Sequence, residues 1–159
     1  DVAVILRLMG QAPVEVSSCG GSYLTNGIAD TTVSNMRFED ESRSHIFVSW
    51  LHPFKEQRLV VVGDKKMATF NGVAPLGEQL HLYPQNVEFK GSIPLLNKED
   101  AEFIEHANSE PLREECKHFL ECIQSRNQPL TNAQSGIDVL QVLYACQKSI
   151  EQNGIPVSL

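Results

Sequence analysis

The stretch SWLHPFKEQRLVVVG, Ser49–Gly63, decides how the chain is read. Its first residues end a strand-like run, and its last six, RLVVVG, form a continuous apolar β run. Such a run is expected of a central strand covered on both faces. Between the two sits a polar corner: His52, Lys55, Glu56, Gln57 and Arg58. Pro53 removes a ladder donor and stops the first strand. Two readings of the corner stand side by side. It is a hydrated hairpin with Glu56 screening its neighbours, the usual fate of charged surface residues. Or it grips an anionic ligand, with His52, Lys55 and Arg58 as up to three positive groups and Trp50, the only tryptophan, as a flat apolar wall. Trp50, His52, Lys55 and Arg58 are thus the candidate substrate-binding residues.

Working outward, the neighbouring segments are also strand-like. VEVSS alternates, and IADTTVSNMRF and SRSHIFVSW are rich in Thr, Val, Ile and aromatics, with EDE as a polar tip between them. GDKK reads as a tight turn, MATFN as the partner strand of RLVVVG, and Asn71-Gly72 as another turn. EQLHLYP and VEFKG add two short strands. Gly20-Gly21 and Asn26-Gly27 carry turn chemistry. The run CGGSY, Cys19–Tyr23, is a second candidate site, because glycines permit close backbone approach to a ligand; its plainer reading is a loop.

Helical signals frame these strands. At the start, Val2, Ile5, Leu6 and Met9 share one face, and Gly10 is a suitable stop. From Pro111 the apolar period changes from two to 3.6: Leu112, Cys116, Phe119, Leu120 and Ile123 form one stripe. Thr131-Asn132-Ala133-Gln134 reads as a capping box, after which Ile137, Leu140, Leu143, Tyr144 and Ile150 run down one face to Gly154. Antiparallel strands followed by two helices imply an α+β fold, one mixed and predominantly antiparallel sheet with helices packed on one face. The strands carry apolar residues in both parities, so the open sheet face needs a cover. Another subunit or domain is the economical one, and a homo-oligomer through the open sheet face is the expectation.

Composition narrows the function classes. The 159 residues suffice for one domain with a real core, and the chain is expected to be a single domain over residues 1–159. The net charge of −7 argues against nonspecific nucleic-acid binding, which needs a basic face. No segment has the roughly 18 consecutive apolar residues of a membrane span. The four cysteines, Cys19, Cys116, Cys122 and Cys146, form no C-x-x-C pair; Cys116 and Cys146 lie on apolar stripes and read as buried free thiols in a reducing, cytoplasmic setting. The histidines show no metal spacing. His45 and His81 read as half-buried strand residues and His118 as solvated. There is no G-x-G-x-x-G, no phosphate loop and no nucleophile elbow, so the chain has no dinucleotide fingerprint of its own.

Three segments carry a resemblance. DVAVILRLMGQAPVEVSS, SHIFVSWLHPFKEQRLVVVGDKKMATF and EPLREECKHFLECIQSRNQPLTNAQSGIDVLQVLYACQKSIEQNG together are similar to the C-terminal part of the glucose–fructose oxidoreductase/inositol dehydrogenase/MocA family. WLHPFKEQR resembles the subgroup that oxidises nucleotide-linked N-acetylhexosaminuronic acids. The resemblance implies a two-domain parent enzyme whose first domain binds NAD or NADP. This chain would be the C-terminal fragment that binds a sugar or nucleotide-sugar and oligomerises, holding no cofactor by itself. The family's catalytic Lys and Asp-x-x-x-His motif match nothing here, so no catalytic residue is carried over, and the chain alone is expected to be inactive. By resemblance, Lys55 and Arg58 would attract pyrophosphate or carboxylate, His52 would donate a hydrogen bond and Trp50 would wall the pocket. Two other readings remain: a non-catalytic assembly domain whose polar corner is only hydrated, and a cysteine-dependent enzyme.

Overall fold

The computed structural model describes residues 1–75, 77–84, 87–96, 100–106 and 109–159. In chain order the elements are α1 (Val2–Met9), β1 (Glu15–Gly21), β2 (Thr31–Arg37), β3 (Arg43–Ser49), β4 (Arg58–Val62) and β5 (Met67–Asn71). There follow β6 (Leu80–Tyr83), β7 (Val87–Lys90), β8 (Ile93–Leu96), β9 (Glu102–Phe103), α2 (Pro111–Ser125), α3 (Ala133–Glu151) and β10 (Val157–Ser158). They divide into two units: Asp1–His52 with Phe119–Leu159, and Pro53–His118. The α+β class read from the change of period stands. The strands, however, pair as two four-stranded antiparallel sheets and a separate β7–β8 hairpin rather than as one sheet.

In the first unit the strand order is β10-β1-β2-β3. Register places Val16 opposite Met36, and Ser18 opposite Ser34, which in turn faces Ile46. Period two puts these residues on one face. Helices α1 and α3 cover that face, with Val2, Ile5, Val142, Ala145 and Cys146 meeting Val16, Met36 and Phe38. The expected face of α1 is the one used, since Leu6 and Met9 also pack on this core. Gly10 ends the helix at φ 67°. Each large side chain so enclosed contributes roughly 1.5–3 kcal/mol relative to exposure.

Helix α3 differs from its sequence reading in two respects. Its N-cap is Asn132, whose side chain accepts from the Ser135 amide at 3.0 Å. Gln134 is not part of a capping box; its amide donates to Asp138 at 2.8 Å. Asn is at least as good an N-cap as Thr, which explains the shift by one residue. The face packed on the sheet is also different: Val142, Ala145, Cys146 and Ser149 are buried, whereas Ile137, Leu140, Leu143 and Tyr144 are exposed. Small side chains let a helix approach a sheet closely, and a count of bulky apolar residues overlooks them. Helix α2 starts at Pro111 as expected but buries none of its apolar stripe, so Cys116 is exposed; Cys146 is the buried thiol.

Ser149 joins the last helix to the sheet. Its Oγ accepts from the Ser18 amide at 2.9 Å and donates to the Ile155 carbonyl at 2.8 Å. Ser18 Oγ in turn donates to Ser34 Oγ at 2.8 Å. Strand β10 pairs only with Glu15 and Val16, so it ends before Ser18 and leaves that amide to the helix. Gly154 turns the chain from α3 toward β10 at φ 87°, where a Cβ would stand 2.9 Å from Cys19 Sγ.

In the second unit the order is β4-β5-β6-β9. The apolar run of β4 is an edge strand, and Val60, Val61 and Val62 are exposed. This corrects the expectation of a central strand covered on both faces: a run of valines signals that cover is needed, not that this chain supplies it. Among the described residues, the eight buried core residues all lie in the first unit. Strands β8 and β9 escaped the sequence reading, the first because Pro94 lies within it and the second because it is two residues long. His81 is half-buried against the Phe103 ring at 4.4 Å, as expected, but His45 is exposed.

Two stability outcomes are expected. Ser149→Ala leaves the buried Ser18 amide without its acceptor and lowers stability by about 1–3 kcal/mol. Asn132→Ala costs about 1 kcal/mol, and Thr131→Ala less than that. Urea midpoints at unchanged m-value check both; equal losses for Thr131→Ala and Asn132→Ala would restore Thr131 as the cap.

Candidate functional site

The face of the first sheet opposite its core is built of four cross-strand rows. From one end they are Gly21–Thr31–Ser49, Cys19–Val33–Phe47, Ser17–Asn35–His45 and Glu15–Arg37–Arg43. Beyond the Gly–Thr–Ser row, the rows grade from apolar to polar to charged. In the last, Arg37 approaches Glu15 and Glu41 at 3.6 Å each. A shallow cavity of about 370 Å³ lies over this charged end and reaches Asn35 and His45. In the β2–β3 turn, Asp40 accepts from the Ser42 hydroxyl at 2.5 Å and its amide at 3.1 Å, which hold the carboxyl below its usual range.

The apolar end is organised by Asp30, which is 8% exposed. Its Oδ2 accepts from the Tyr23 amide and, at 2.6 Å, from the Leu24 amide. Its own backbone donates to Gly21 O and accepts from the Trp50 amide, both at 2.8 Å. One residue thus ties the loop after β1 to the segment after β3. Cys19, Gly20 and Gly21 are strand residues, not the loop read from the sequence. Their glycines make room: a Cβ on Gly20 would stand 2.9 Å from Ala29 Cβ, and one on Gly21 would stand 2.5 Å from the Tyr23 ring.

The four residues singled out from the sequence fall on both sides of the unit division. Trp50 and His52 belong to the first unit, Lys55 and Arg58 to the second. Trp50 is 85% exposed, and the His52 ring tilts against Phe47 with centroids 5.6 Å apart. Lys55 and Arg58 are exposed, Arg58 opening β4 opposite Asn71. Gln57 between them is structural, its carbonyl accepting from the Gly72 amide at 2.8 Å. Asp30 and Phe47 were missed, whereas Tyr23 stood at the end of the second candidate run, CGGSY; no sequence signal marked Asp30.

These residues do not fit a dinucleotide. All strand pairs of the described residues are antiparallel, so no strand–glycine turn–helix crossover presents a helix N-terminus to a pyrophosphate. Among the described residues no group of three His, Cys, Asp or Glu could hold a metal ion, and no helix is long and apolar enough to cross a membrane.

No curated protein sequence matches the chain. Solved structures do. UDP-N-acetylglucosamine 3-dehydrogenase from Acidithiobacillus ferrooxidans is similar at TM-score 0.79 and 20% identity, over 96% of this chain and 44% of that one. Aldose-aldose oxidoreductase from Caulobacter crescentus is similar at 0.74 and 16%, over 99% and 44%. The WlbA dehydrogenase from Bordetella pertussis, solved in complex with NADH and UDP-GlcNAcA, is similar at 0.68 and 18%, over 99% and 42%. The chain spans less than half the length of each of these proteins. Their likeness shows a shared fold. The profile of the oxidoreductase family's C-terminal alpha/beta domain matches residues 1–159, and the chain belongs to this glucose–fructose oxidoreductase/inositol dehydrogenase/MocA family.

Proposed function

We propose that residues 1–159 act as one substrate-binding and oligomerising domain of an NAD(P)-dependent oxidoreductase that oxidises a hydroxyl of a sugar or nucleotide-sugar. The observation that carries this reading is the family match over the whole chain. The similar structures named for UDP-N-acetylglucosamine and UDP-GlcNAcA support the nucleotide-sugar class. Because the described residues offer no fit for a dinucleotide, NAD or NADP would be held by another part of the parent enzyme. This chain's share is to bind and orient the substrate. Lys55 and Arg58 supply positive charge for a pyrophosphate or sugar carboxylate, Arg58 through a two-pronged fork. His52 offers a hydrogen bond and Trp50 an apolar wall. Orientation of this kind raises the rate without any residue of the chain entering the chemistry.

Assembly is the second half of the proposal. The exposed valines of β4 and the absence of buried apolar residues among those described in the second unit favour a partner surface there. A second copy is the proposed occupant, since most soluble oligomers are symmetric assemblies of one chain.

In the parent enzyme, Lys55→Ala and Arg58→Ala are each expected to lower kcat/KM for the nucleotide-sugar by roughly 10- to 100-fold, the range of a lost charge-assisted hydrogen bond. Steady-state kinetics checks it. Unchanged kinetics in both variants would favour the alternative of a purely assembling domain. The isolated chain is expected to show no nicotinamide-dependent turnover.

A further inference from the structure

We propose that Asn26 is a site of covalent modification by deamidation. Its side-chain amide is lost to attack by the Gly27 main-chain nitrogen, while the chemically equivalent pairs Asn71-Gly72 and Asn153-Gly154 are held unreactive by the fold. The modification needs no substrate, cofactor or second copy.

An asparagine before a glycine places an electrophile, the side-chain carboxamide, next to a main-chain nitrogen that no Cβ of its own residue shields. Asn26, Asn71 and Asn153 are all exposed, so exposure does not separate them. The glycine amides do. The Gly72 amide donates to the Gln57 carbonyl and the Gly154 amide to the Ser149 carbonyl, both at 2.8 Å. The two asparagines are tied as well. The Asn71 amide donates to the Gln79 carbonyl at 2.9 Å, and Asn71 Oδ1 accepts from the Val73 amide at 3.2 Å. The Asn153 amide donates to the Ile150 carbonyl at 3.1 Å as α3 ends. Asn26 and Gly27, by contrast, are the two middle residues of a turn closed by the Ile28 amide donating to the Thr25 carbonyl at 3.1 Å. Among the described residues, neither the Gly27 amide nor the Asn26 side chain has a hydrogen-bond partner. A Cβ on Gly27 would meet nothing within 4 Å, whereas one on Gly72 would stand 2.7 Å from Gln57 Oε1 and one on Gly154 2.9 Å from Cys19 Sγ.

The chemistry balances with water alone. The Gly27 nitrogen gives its proton to solvent base and bonds to Asn26 Cγ. The bond from Cγ to Nδ2 breaks, ammonia leaves, and a five-membered succinimide closes. Water then opens the ring at either carbonyl, leaving an aspartate or an isoaspartate at this position. Ring closure needs the nitrogen and Cγ to swing into near-attack contact. At Gly72 and Gly154 that motion first breaks the amide hydrogen bond and those beside it. At Gly27 it rotates only exposed groups of a surface turn. The product adds one negative charge to the net −7. As isoaspartate it also adds a methylene to the main chain, inside the loop that Asp30 closes through the Tyr23 and Leu24 amides.

The test is a time course of the 159-residue chain in mildly alkaline buffer, folded and, separately, unfolded in urea. Peptide mapping by mass spectrometry follows the loss of ammonia at each of the three asparagines, and the folded rate is divided by the unfolded rate at the same site. For Asn26 the ratio is expected to stay near one. For Asn71 and Asn153 folding should slow the reaction by at least about tenfold, the equivalent of one net hydrogen bond broken before attack. The folded chain should also become a methyl acceptor for an isoaspartyl methyltransferase supplied with S-adenosylmethionine. Asn26→Gln, which cannot close a five-membered ring, should remove most of that methylation. The proposal is overturned if the folded chain reacts at Asn71 or Asn153 as fast as at Asn26, or if folding slows Asn26 as much as the other two. It is also overturned if the Asn26→Gln chain accepts methyl groups as readily as the unsubstituted one.

Discussion

The Ser149 hydroxyl closes the first unit, which is assembled from the two ends of the chain. Its first segment ends at His52 and its second begins at Phe119. Something must hold the second to the first against the entropy of a long intervening loop, which grows only slowly with length. Packing of Val142, Ala145 and Cys146 on Val16, Met36 and Phe38 supplies the bulk of the attraction. Ser149 supplies the register. Its hydroxyl accepts from a β-strand amide that would otherwise be buried without an acceptor, and donates a hydrogen bond to the Ile155 carbonyl just before β10. A buried hydroxyl with both capacities filled fixes one helix position, where apolar packing alone would tolerate small shifts along the sheet.

That closure also explains where the exposed apolar surface is. Helix α3 can face the sheet with only one stripe, and it uses the small-residue stripe because the Ser149 bond demands close approach. The bulky stripe, Ile137, Leu140, Leu143 and Tyr144, is thereby turned outward. Helix α2 exposes Leu112, Phe119, Leu120 and Ile123, and β4 its valines. Apolar surface on this scale exceeds what scattered surface residues account for.

Most elements were legible because their signals are local. Gly10 and Pro111 are punctuation, and the β2 and β3 runs are rich in Thr, Val, Ile and aromatics, a strand composition that needs no tertiary context to read. What escaped depended on partners. The capping box at Thr131 and the cap at Asn132 differ by one residue and both obey capping chemistry; only the fold selects between them. The edge position of β4 is a property of strand order, which apolarity does not encode. Likewise, Trp50, His52, Lys55 and Arg58 are neighbours in sequence but divide between two units, which adjacency along the chain does not reveal. Asp30 was invisible for a further reason: nothing in "ADTT" announces that its carboxylate turns inward to meet Tyr23 and Leu24.

The gradation of the open face gives these pieces a common sense. Arg37 and Arg43 stand directly opposite each other at its charged end, an arrangement that is unfavourable in isolation. Glu15 and Glu41 offset Arg37, but Arg43 has no carboxylate partner among the described residues. At the other end, some six residues or ~20 Å along the strands, Tyr23 and Phe47 leave aromatic surface in water. The two ends of this face therefore differ in what would offset them: carboxylates at the charged end, apolar cover at the aromatic end.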